Sequence, residues 1–334
     1  MSDGAARILE ALRRAGPRPL SGKALSESLG VSRAQVWKHV EALRAKGYRI
    51  EGERGGGYRL AGIPDRLYPA EIQACLSTRW LAREIRHLDS TDSTNRVALE
   101  WARAGAPHGA TVIAEGQTAG RGRLGRSFFS PPYSNLYSSS VLRPSLALAD
   151  APTVILAAAV AVAEVVAERV GADHEVEIKW PNDVLIDGLK TSGILMELAA
   201  EASRVAFLVL GIGVNLNIER EAFPVAFRSS ATSLRSATGR VVDRISFARR
   251  LYHELEQALD TCEKGGFQAL RPCFEQRFHM TGRAVRVREL GPGGDPALET
   301  AGTCRGIDVD GALLIEGRDG AVARVLAGDV TVIR

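Results

Sequence analysis

The sequence offers little for a disulfide framework or a structural metal. Its 334 residues include four cysteines without a Cys-x-x-Cys pair, and six histidines without the spacing of a zinc site. Disulfide scaffolds and zinc modules need several such residues at short, regular spacings. We therefore expect no structural zinc, and buried free thiols in a reducing, cytoplasmic compartment at Cys75, Cys262, Cys273 and Cys304.

The sequence also lacks a long hydrophobic run. Its longest uninterrupted apolar stretch, residues 154–163, ends after ten residues at Glu164, and the first ten residues contain no signal-peptide core. A membrane-spanning helix needs about 20 apolar residues. We therefore expect a protein that is neither exported nor inserted in a membrane.

No charge of one sign dominates the whole chain, but the charges are unevenly distributed. There are 43 basic and 39 acidic residues in all, whereas residues 1–60 carry twelve Lys or Arg against six Asp or Glu. A basic segment of this size favours an anionic partner for that end. The hydrophobic fraction of 45% is that of a globular protein, and the length allows two or three domains.

Residues 1–63 have the pattern of a winged helix-turn-helix domain. Apolar spacing predicts three helices, the third beginning with a capping box of Ser32 and Gln35. Residues 48–60 alternate apolar and charged residues around a glycine-rich turn, which predicts a hairpin wing. A small helical domain with a solvated basic face is the alternative. A recognition helix contacts DNA with its first residues. The predicted DNA contacts are Ser32, Arg33, Gln35, Lys38 and Arg54.

The rest of the chain predicts two further domains. Residues 64–84 contain two prolines and little periodicity, which is typical of a linker. Residues 85–280 alternate helices with runs of short strands joined by turns, among them an Asp187-Gly188 hairpin turn, which predicts an α+β domain with a mainly antiparallel sheet. Residues 281–334 alternate around two Asp-Gly turns, which predicts a small SH3-like β-barrel. The predicted fold class is therefore α+β, with three domains.

Residues 120–125 match the Gly-x-Gly-x-x-Gly pattern of a dinucleotide-binding turn. The context contradicts this interpretation, because Ser130-Pro-Pro-Tyr follows where a helix must begin. Arg121, Arg123 and Arg126 instead indicate a mobile loop that binds carboxylate or phosphate oxygens, since guanidinium groups match their geometry. On composition alone, a solvated basic loop remains the alternative.

Five motifs in order carry a resemblance to a known family. They are Asp92-Ser-Thr-Asn95, Gln117-Thr-Ala-Gly-Arg-Gly-Arg-Leu-Gly-Arg126, Lys179-Trp-Pro-Asn-Asp183, Lys190-Thr-Ser-Gly-Ile-Leu195 and Gly211-Ile-Gly-Val-Asn215. Together they resemble the biotin–protein ligases. With the winged helix-turn-helix domain ahead of them, essentially the whole chain resembles the bifunctional class, which combines biotin–[acetyl-CoA-carboxylase] ligase with biotin operon repressor.

The resemblance implies a two-step reaction that uses biotin, ATP and Mg²⁺. The biotin carboxylate would attack the α-phosphate of ATP to give biotinyl-5′-AMP and pyrophosphate. A lysine of the biotin carboxyl carrier protein would then displace AMP. Because the first step joins two anions, it needs cations to stabilise the charge. The catalytic cations that the resemblance implies are Lys190, Arg121 and Arg123.

The resemblance also implies which residues bind the two substrates. Those for biotin are Ser93, Thr94, Asn95, Gln117, Arg121, Gly122, Arg123 and Lys190. Those for ATP are Arg123, Phe128, Asn182 and Asn215, and no metal ligands are assigned. Many relatives have a basic residue at position 124 and Trp at 128, whereas this chain has Leu124 and Phe128. This departure predicts weaker retention of the adenylate, which bears on repression more than on ligation.

The implied partners are the carrier protein, operator DNA and a second copy of the chain, in a homodimer that forms when adenylate is bound. Two other functions stay open at this point. A biotin-sensing regulator without ligase activity is disfavoured by Lys190 and the loop arginines. A lipoate–protein ligase is disfavoured by the lack of an Arg-Arg-x-x-Gly-Gly-Gly segment.

Overall fold

The computed structural model describes residues 3–53, 56–201, 204–290 and 296–333. The chain divides into two compact units, Met1–Arg66 and Leu67–Arg334. The first unit contains α1 (Asp3–Ala15), α2 (Gly22–Leu29), α3 (Arg33–Ala45), β1 (Arg49–Glu53) and β2 (Gly57–Gly62). The three helices and the β1–β2 hairpin confirm the predicted winged helix-turn-helix domain.

Local sequence signals explain the boundaries of the helices in this unit. Ser21 Oγ accepts the Ala24 N–H before α2, and Ser32 Oγ accepts the Gln35 N–H before α3. Gln35 Oε1 in turn accepts the Ser32 N–H, which completes the predicted capping box. The helices pack through a buried apolar core formed by Ile8, Leu9, Leu12, Leu25, Val36, Val40 and Leu43.

The second unit contains two sheets and seven α-helices among its described residues. Its first part contains α4 (Pro69–Gln73), β3 (Ile85–Leu88), α5 (Thr94–Arg103), β4 (Thr111–Ala114), β5 (Leu136–Leu142), α6 (Pro152–Val170), β6 (Val176–Lys179), β7 (Asp183–Ile186), β8 (Leu189–Glu201) and β9 (Arg204–Val214). Its second part contains α7 (Val225–Arg228), α8 (Leu234–Thr238), α9 (Arg244–Gly265), α10 (Arg271–Glu275), β10 (Ala284–Leu290), β11 (Pro296–Ile307), β12 (Leu313–Glu316), β13 (Val322–Val325) and β14 (Asp329–Val332).

The seven-stranded sheet has the order β3-β4-β5-β9-β8-β7-β6. The β3–β4 pair is parallel and the other neighbours are antiparallel, which confirms the predicted mainly antiparallel sheet. Helices cover both faces: Val112 and Val209 pack in one core with α5, whereas their strand neighbours Ile113 and Leu210 belong to the core that contains α6. The C-terminal strands form a separate antiparallel sheet in the order β13-β12-β11-β10-β14. This confirms the predicted β character of the C-terminal segment.

Helix α6 has the apolar composition of a membrane-spanning helix. The segment Leu148–Val170 has a mean hydropathy of 1.8, and a helix of this length and composition can cross a membrane. In the folded unit, however, 72% of its apolar window is buried. Packing against α9 and the large sheet accounts for its composition.

The division between the two units falls after Arg66, within the segment predicted to be a linker. The residues that follow pack on the second unit, where Leu67, Ile72 and Leu81 are fully buried. Glu256 of α9 accepts backbone N–H groups from residues 79–81 and holds them in place. Glu256 and Leu81 are 175 positions apart in the sequence, so the local composition of the segment did not indicate this contact.

The expectation for the cysteines is partly wrong. Cys262 and Cys304 are buried, as expected, and burial raises the pKa of both thiols. Cys75 and Cys273 are exposed. All four are free thiols.

Candidate functional site

Two adjoining cavities lie beside the seven-stranded sheet. The narrow cavity, of about 50 Å³, is enclosed by the start of α5, the loop at residues 117–128 and the glycines of β8 and β9. The wide cavity, of about 370 Å³, lies between the same loop, the start of β8 and the segment around α7. The residues common to both cavities are Gly122, Arg123, Phe128, Asn182 and Lys190. An elongated ligand with two chemically different halves would therefore cross from one cavity to the other at these residues.

The site residues predicted from the sequence sort into the two cavities. The narrow cavity is lined by every residue predicted to bind biotin, namely Ser93, Thr94, Asn95, Gln117, Arg121, Gly122, Arg123 and Lys190. The wide cavity is lined by the residues predicted to bind ATP, namely Arg123, Phe128, Asn182 and Asn215. The fold therefore brings together residues that lie more than 100 positions apart.

The N-terminus of α5 forms one wall of the narrow cavity. Ser93 precedes the helix but makes no side-chain cap; instead Gln117 Oε1 accepts the Thr94 N–H at 2.9 Å. Gln117 is itself held by a 3.0 Å hydrogen bond from its Nε2 to Ser130 Oγ. Because Ser93, Thr94 and neighbouring Asn95 are at most 4% exposed, their polar groups are desolvated before any ligand arrives. Such groups discriminate strongly between ligands, since an unpaired buried donor or acceptor is costly.

Two glycines of β9 make room for these side chains. A Cβ at Gly211 would clash with Asn95 Oδ1, and a Cβ at Gly213 would lie 2.6 Å from Phe128 Cε1. The strand therefore presents bare backbone where any larger residue would displace a side chain of the site. The Gly-x-Gly pattern in this strand is thus explained by close approach.

Lys190 lies where the two cavities join. The Asp187-Gly188 turn between β7 and β8 has positive φ at both residues, as the predicted hairpin turn requires, and it places Lys190 at the start of β8. Lys190 Nζ donates to Asp183 Oδ1 at 2.6 Å. Its backbone pairs with the segment before α8, because its N–H donates to Ser230 O. The ammonium group is therefore held at the junction by both its side chain and its backbone.

Arg123 is the second cation at the junction. Its Nη1 donates to Asn182 Oδ1 at 3.0 Å, and Asn182 Nδ2 donates to Ile194 O at 3.0 Å. Burial lowers the pKa of the Arg123 guanidinium from its ordinary value, while the nearby Asp183 charge opposes this shift. A desolvated cation gains more from a bound anion than one in water. Arg121, by contrast, is exposed and lines only the narrow cavity, not the wide one.

The loop is also tied to the C-terminal sheet. Arg126 forms a two-pronged ion pair with Asp329 at the start of β14, with one contact of 3.1 Å, and this hydrogen bonding raises the pKa of Arg126. Leu124 lies between these arginines in a left-handed conformation at φ 59°. The residues paired here are 203 positions apart, so the sequence gave no signal of the contact.

The remaining wall of the wide cavity combines aromatic and amide side chains. Phe223 and Phe227 line it, and sequence reasoning identified neither. Asn215 is 5% exposed and spans two segments, because its Nδ2 donates to Thr232 O at 3.1 Å and its Oδ1 accepts from Asn135. Its side chain thus holds the wall of the wide cavity together.

A buried ion pair stabilises the framework behind the loop. Arg244 Nη1 donates to Glu115 Oε2 at 2.9 Å, and both side chains are fully buried. Burial alone would raise the pKa of Glu115, but the hydrogen bond with His87 and the Arg244 charge lower it to about 2. Glu115 directly follows β4 and lies two residues before Gln117, so this pair fixes the origin of the loop.

The described part of the chain contains no cluster of three or more His, Cys, Asp or Glu that could hold a metal ion alone. Asp183 and Asp329 are the carboxylates that line the wide cavity. A Mg²⁺ ion commonly uses one or two carboxylates together with substrate phosphates and water. The residues present fit an ion that arrives with a nucleotide.

The first unit carries a separate surface at the start of α3. Arg33 and Lys38 are exposed there beside Trp37, which is 55% exposed. Ser32 and Gln35 are also exposed, but their side chains close the capping box. Arg54 lies outside the described residues. Exposed cations at the start of a helix can contact both the phosphates and the base edges of DNA.

Comparisons with known proteins agree with this division. Residues 87–215 match the biotin/lipoate A/B protein ligase family, and residues 5–59 match a helix-turn-helix domain. The bifunctional ligase/repressor BirA of Bacillus subtilis is 36% identical over 97% of both chains. The protein of the same name from Escherichia coli is 35% identical over 93% of this chain and 92% of its own.

A solved structure of the same family is also similar to this chain. The biotin protein ligase of Aquifex aeolicus, in complex with biotin and ATP, superposes with a TM-score of 0.62 at 28% identity. The match covers 75% of this chain and 99% of that one. With both units matched and the identity to full-length relatives above 30%, the chain belongs to the biotin–protein ligase family, in its class of bifunctional ligase/repressors.

Proposed function

We propose that this protein is an ATP-dependent ligase that attaches biotin to a lysine of the biotin carboxyl carrier protein, and that it represses biotin synthesis genes in response to biotin. The observation that carries the proposal is the junction of the two cavities at Arg123 and Lys190. Biotin in the narrow cavity and ATP in the wide cavity would place carboxylate and α-phosphate between these cations.

In the first step, a carboxylate oxygen of biotin attacks the α-phosphorus of ATP. The bond from that phosphorus to the bridging oxygen breaks, and pyrophosphate leaves with its electrons. Lys190 and Arg123 stabilise the charge on the carboxylate and the α-phosphate, and Arg121 assists from the narrow cavity. A fixed cation of this kind contributes about 10²–10³ in rate, because it needs no reorganisation during the reaction.

Mg²⁺, when bound with the nucleotide, neutralises phosphate charge, and Asp183 is the residue that would hold it. Asn182 orients the Arg123 guanidinium through the 3.0 Å hydrogen bond. Phe128 covers the boundary between the cavities and excludes water from the mixed anhydride. In the second step, the ε-amine of the carrier lysine attacks the acyl carbon, the bond to the phosphate oxygen breaks, and AMP leaves as the amine loses a proton.

The repressor activity belongs to the first unit. Arg33 and Lys38 would contact DNA from the exposed start of α3, with Ser32 and Gln35 at its cap. Arg54, outside the described residues, is the remaining predicted contact. One winged unit reads one half-site, so two copies of the chain would bind a palindromic operator as a homodimer when adenylate is bound. We place the protein in the cytoplasm, where the carrier protein, the operator and reduced thiols occur together.

The ligase is tested by incubating the protein with ATP, labelled biotin and an apo carrier domain. We expect pyrophosphate, biotinyl-5′-AMP and a biotinylated carrier lysine, and no product when lipoate replaces biotin. Adenylate without carrier labelling would favour a biotin-sensing regulator, and labelling with lipoate would favour a lipoate ligase. Either result would contradict the proposed substrate pair.

The repressor is tested by selection from a random pool of double-stranded DNA, with and without biotin and ATP. We expect a palindrome whose binding strengthens with both substrates and weakens steeply with salt. Arg33→Ala and Lys38→Ala should weaken binding, whereas Lys23→Ala on α2 is the matched control. Equal enrichment with and without substrates would contradict a biotin-responsive repressor.

A further inference from the structure

Phe128 lies at the boundary of the two cavities and is itself a residue of the loop. Its ring packs against the bare backbone of Gly213 and meets Tyr137 edge-on, with 6.4 Å between the ring centroids. A side chain leaves the backbone at the Cα atom, between two planar peptide groups. The direction of the ring therefore depends on what holds each of these two peptide groups.

The two peptide groups beside Phe128 are held by different partners. The group before it is fixed by the backbone, because the Phe128 N–H donates to Gly120 O at 2.8 Å. The group after it is fixed by a side chain, because Phe128 O accepts the hydroxyl proton of Ser130 at 2.8 Å. Within the described part of the chain, Phe128 O has no other hydrogen-bond donor.

The proton of Ser130 is available for this bond because of Gln117. The Thr94 N–H can only donate, so Gln117 turns its Oε1 to Thr94, at 2.9 Å, and its Nε2 to Ser130 Oγ, at 3.0 Å. Ser130 Oγ thus accepts one proton and gives its own to Phe128 O. Ser130 is 6% exposed, so water has little access to either bond.

The rest of the loop does not depend on this hydroxyl group. The Gln117 N–H donates to Ser130 O at 3.1 Å, and this backbone bond joins the two sides of the loop at its base. Gly120 leaves space for the hydroxyl, since a Cβ there would lie 2.5 Å from both Phe128 O and Ser130 Oγ. Loss of the hydroxyl would therefore free the peptide group after Phe128 and leave the base of the loop in place.

We propose that Ser130 is a positioning residue that holds Phe128 over the boundary between the cavities and so slows the escape of the adenylate. The inference rests on the proposed function, because biotinyl-5′-AMP is the ligand that would extend across this boundary. Ser130 lines neither cavity, so it acts on the ligand through the aromatic ring.

The test measures the dissociation rate of preformed adenylate from the full-length protein. We expect Ser130→Ala to speed release about fivefold, which is the effect of one buried hydrogen bond. Ser130→Thr keeps the hydroxyl group and should stay within about twofold of the wild-type rate. Ser134→Ala is the matched control and should leave the rate unchanged, because the Ser134 hydroxyl makes only a 3.5 Å contact with Pro131 O.

A double-mutant cycle with Phe128→Ala separates positioning from a general structural role. If Ser130 acts through the ring, Ser130→Ala should change the release rate less than about 1.5-fold once the ring has been removed. A fivefold change that persists in the Phe128→Ala background would overturn the inference. An unchanged release rate in Ser130→Ala alone would overturn it as well.

Ser130→Cys provides a second variant in case Ser130→Ala fails to fold. The thiol group is a weak hydrogen-bond donor, so release should again be faster than in wild type, and the increase should again disappear without the ring. A wild-type rate in Ser130→Cys would contradict the inference. A wild-type protein that forms no adenylate would overturn the proposed function itself, and the inference with it.

Discussion

Both cavities are lined by the loop at residues 117–128, but the narrow cavity is otherwise walled by secondary structure and by buried side chains that hydrogen-bond to each other. The exposed loop residues Leu124, Arg126 and Ser127, by contrast, line only the wide cavity. Thr94 and Asn95 are both 4% exposed, but Leu124 in the loop is 41% exposed. The loop is held to the C-terminal sheet by Arg126, whose side chain is 63% exposed. The difference indicates that the narrow cavity is built before substrates bind and that the wide cavity is completed by the loop.

The largest effect should come from the cation that both cavities share. Lys190→Ala should lower the rate of pyrophosphate release at least about 100-fold, because it removes a fixed charge from the reacting anions. Thermal unfolding should change little, since Lys190 is partly exposed. Exposed Lys264 on α9 offers a matched control, Lys264→Ala. Release at the wild-type rate in Lys190→Ala would contradict the assignment of the site.

Substitutions at the two glycines of β9 compare the fixed wall of the narrow cavity with the loop. Gly211→Ala should weaken biotin binding about 30-fold, because the new methyl group clashes with a fixed, buried Asn95. Gly213→Ala meets the ring of Phe128, which belongs to the loop and can move away, so its loss of biotin affinity should be several times smaller. Calorimetric titration of both variants with biotin alone measures the difference. Equal losses would mean that Phe128 is as fixed as Asn95.

Arg123→Ala should release biotinyl-5′-AMP about tenfold faster than wild type. The substitution removes a desolvated cation and its bond to Asn182, and charge-assisted hydrogen bonds contribute about 1.5–3 kcal/mol. The dissociation rate of preformed adenylate is the quantity to measure. An unchanged rate would show that the loop arginine does not hold the intermediate.

The smallest effect should come from the ion pair at the outer end of the loop. Arg126→Ala and Asp329→Ala should each speed adenylate release by about threefold or less, because exposed ion pairs contribute little. The double variant should match the single ones, since both remove the same contact. A larger increase in the adenylate release rate than that of Arg123→Ala would show that the C-terminal sheet, and not the partly buried Arg123, keeps the loop closed.

The features predicted from sequence are those with local signals. The capping box of Ser32 and Gln35, the Asp187-Gly188 turn and the antiparallel order of the sheet follow from spacing and turn chemistry. The motifs also identified the five residues that are common to the two cavities. These features depend on neighbours in sequence or on a family resemblance.

The features that sequence did not predict depend on contacts between distant segments. Ser93 does not cap α5 with its side chain, because Gln117 from the following loop accepts the first helical N–H instead. Residues 79–81 pack against Glu256 of α9, and Arg126 finds Asp329 in the last strand. The exposure of Cys273 was not predicted, because nothing in its local sequence pattern determines whether the fold covers it.

Amide hydrogen exchange tests the central claim most directly, because it measures the two cavities in one experiment. The Thr94 and Val97 amides, bonded to Gln117 and Ser93, should exchange slowly with and without ligands. The Leu124 and Ser127 amides, in the exposed part of the loop, should exchange fast in the free protein. They should slow at least about tenfold when biotin and ATP are both present. Slow exchange in the loop before ligands are added, or fast exchange at Thr94, would contradict a built narrow cavity and a wide cavity that the loop completes.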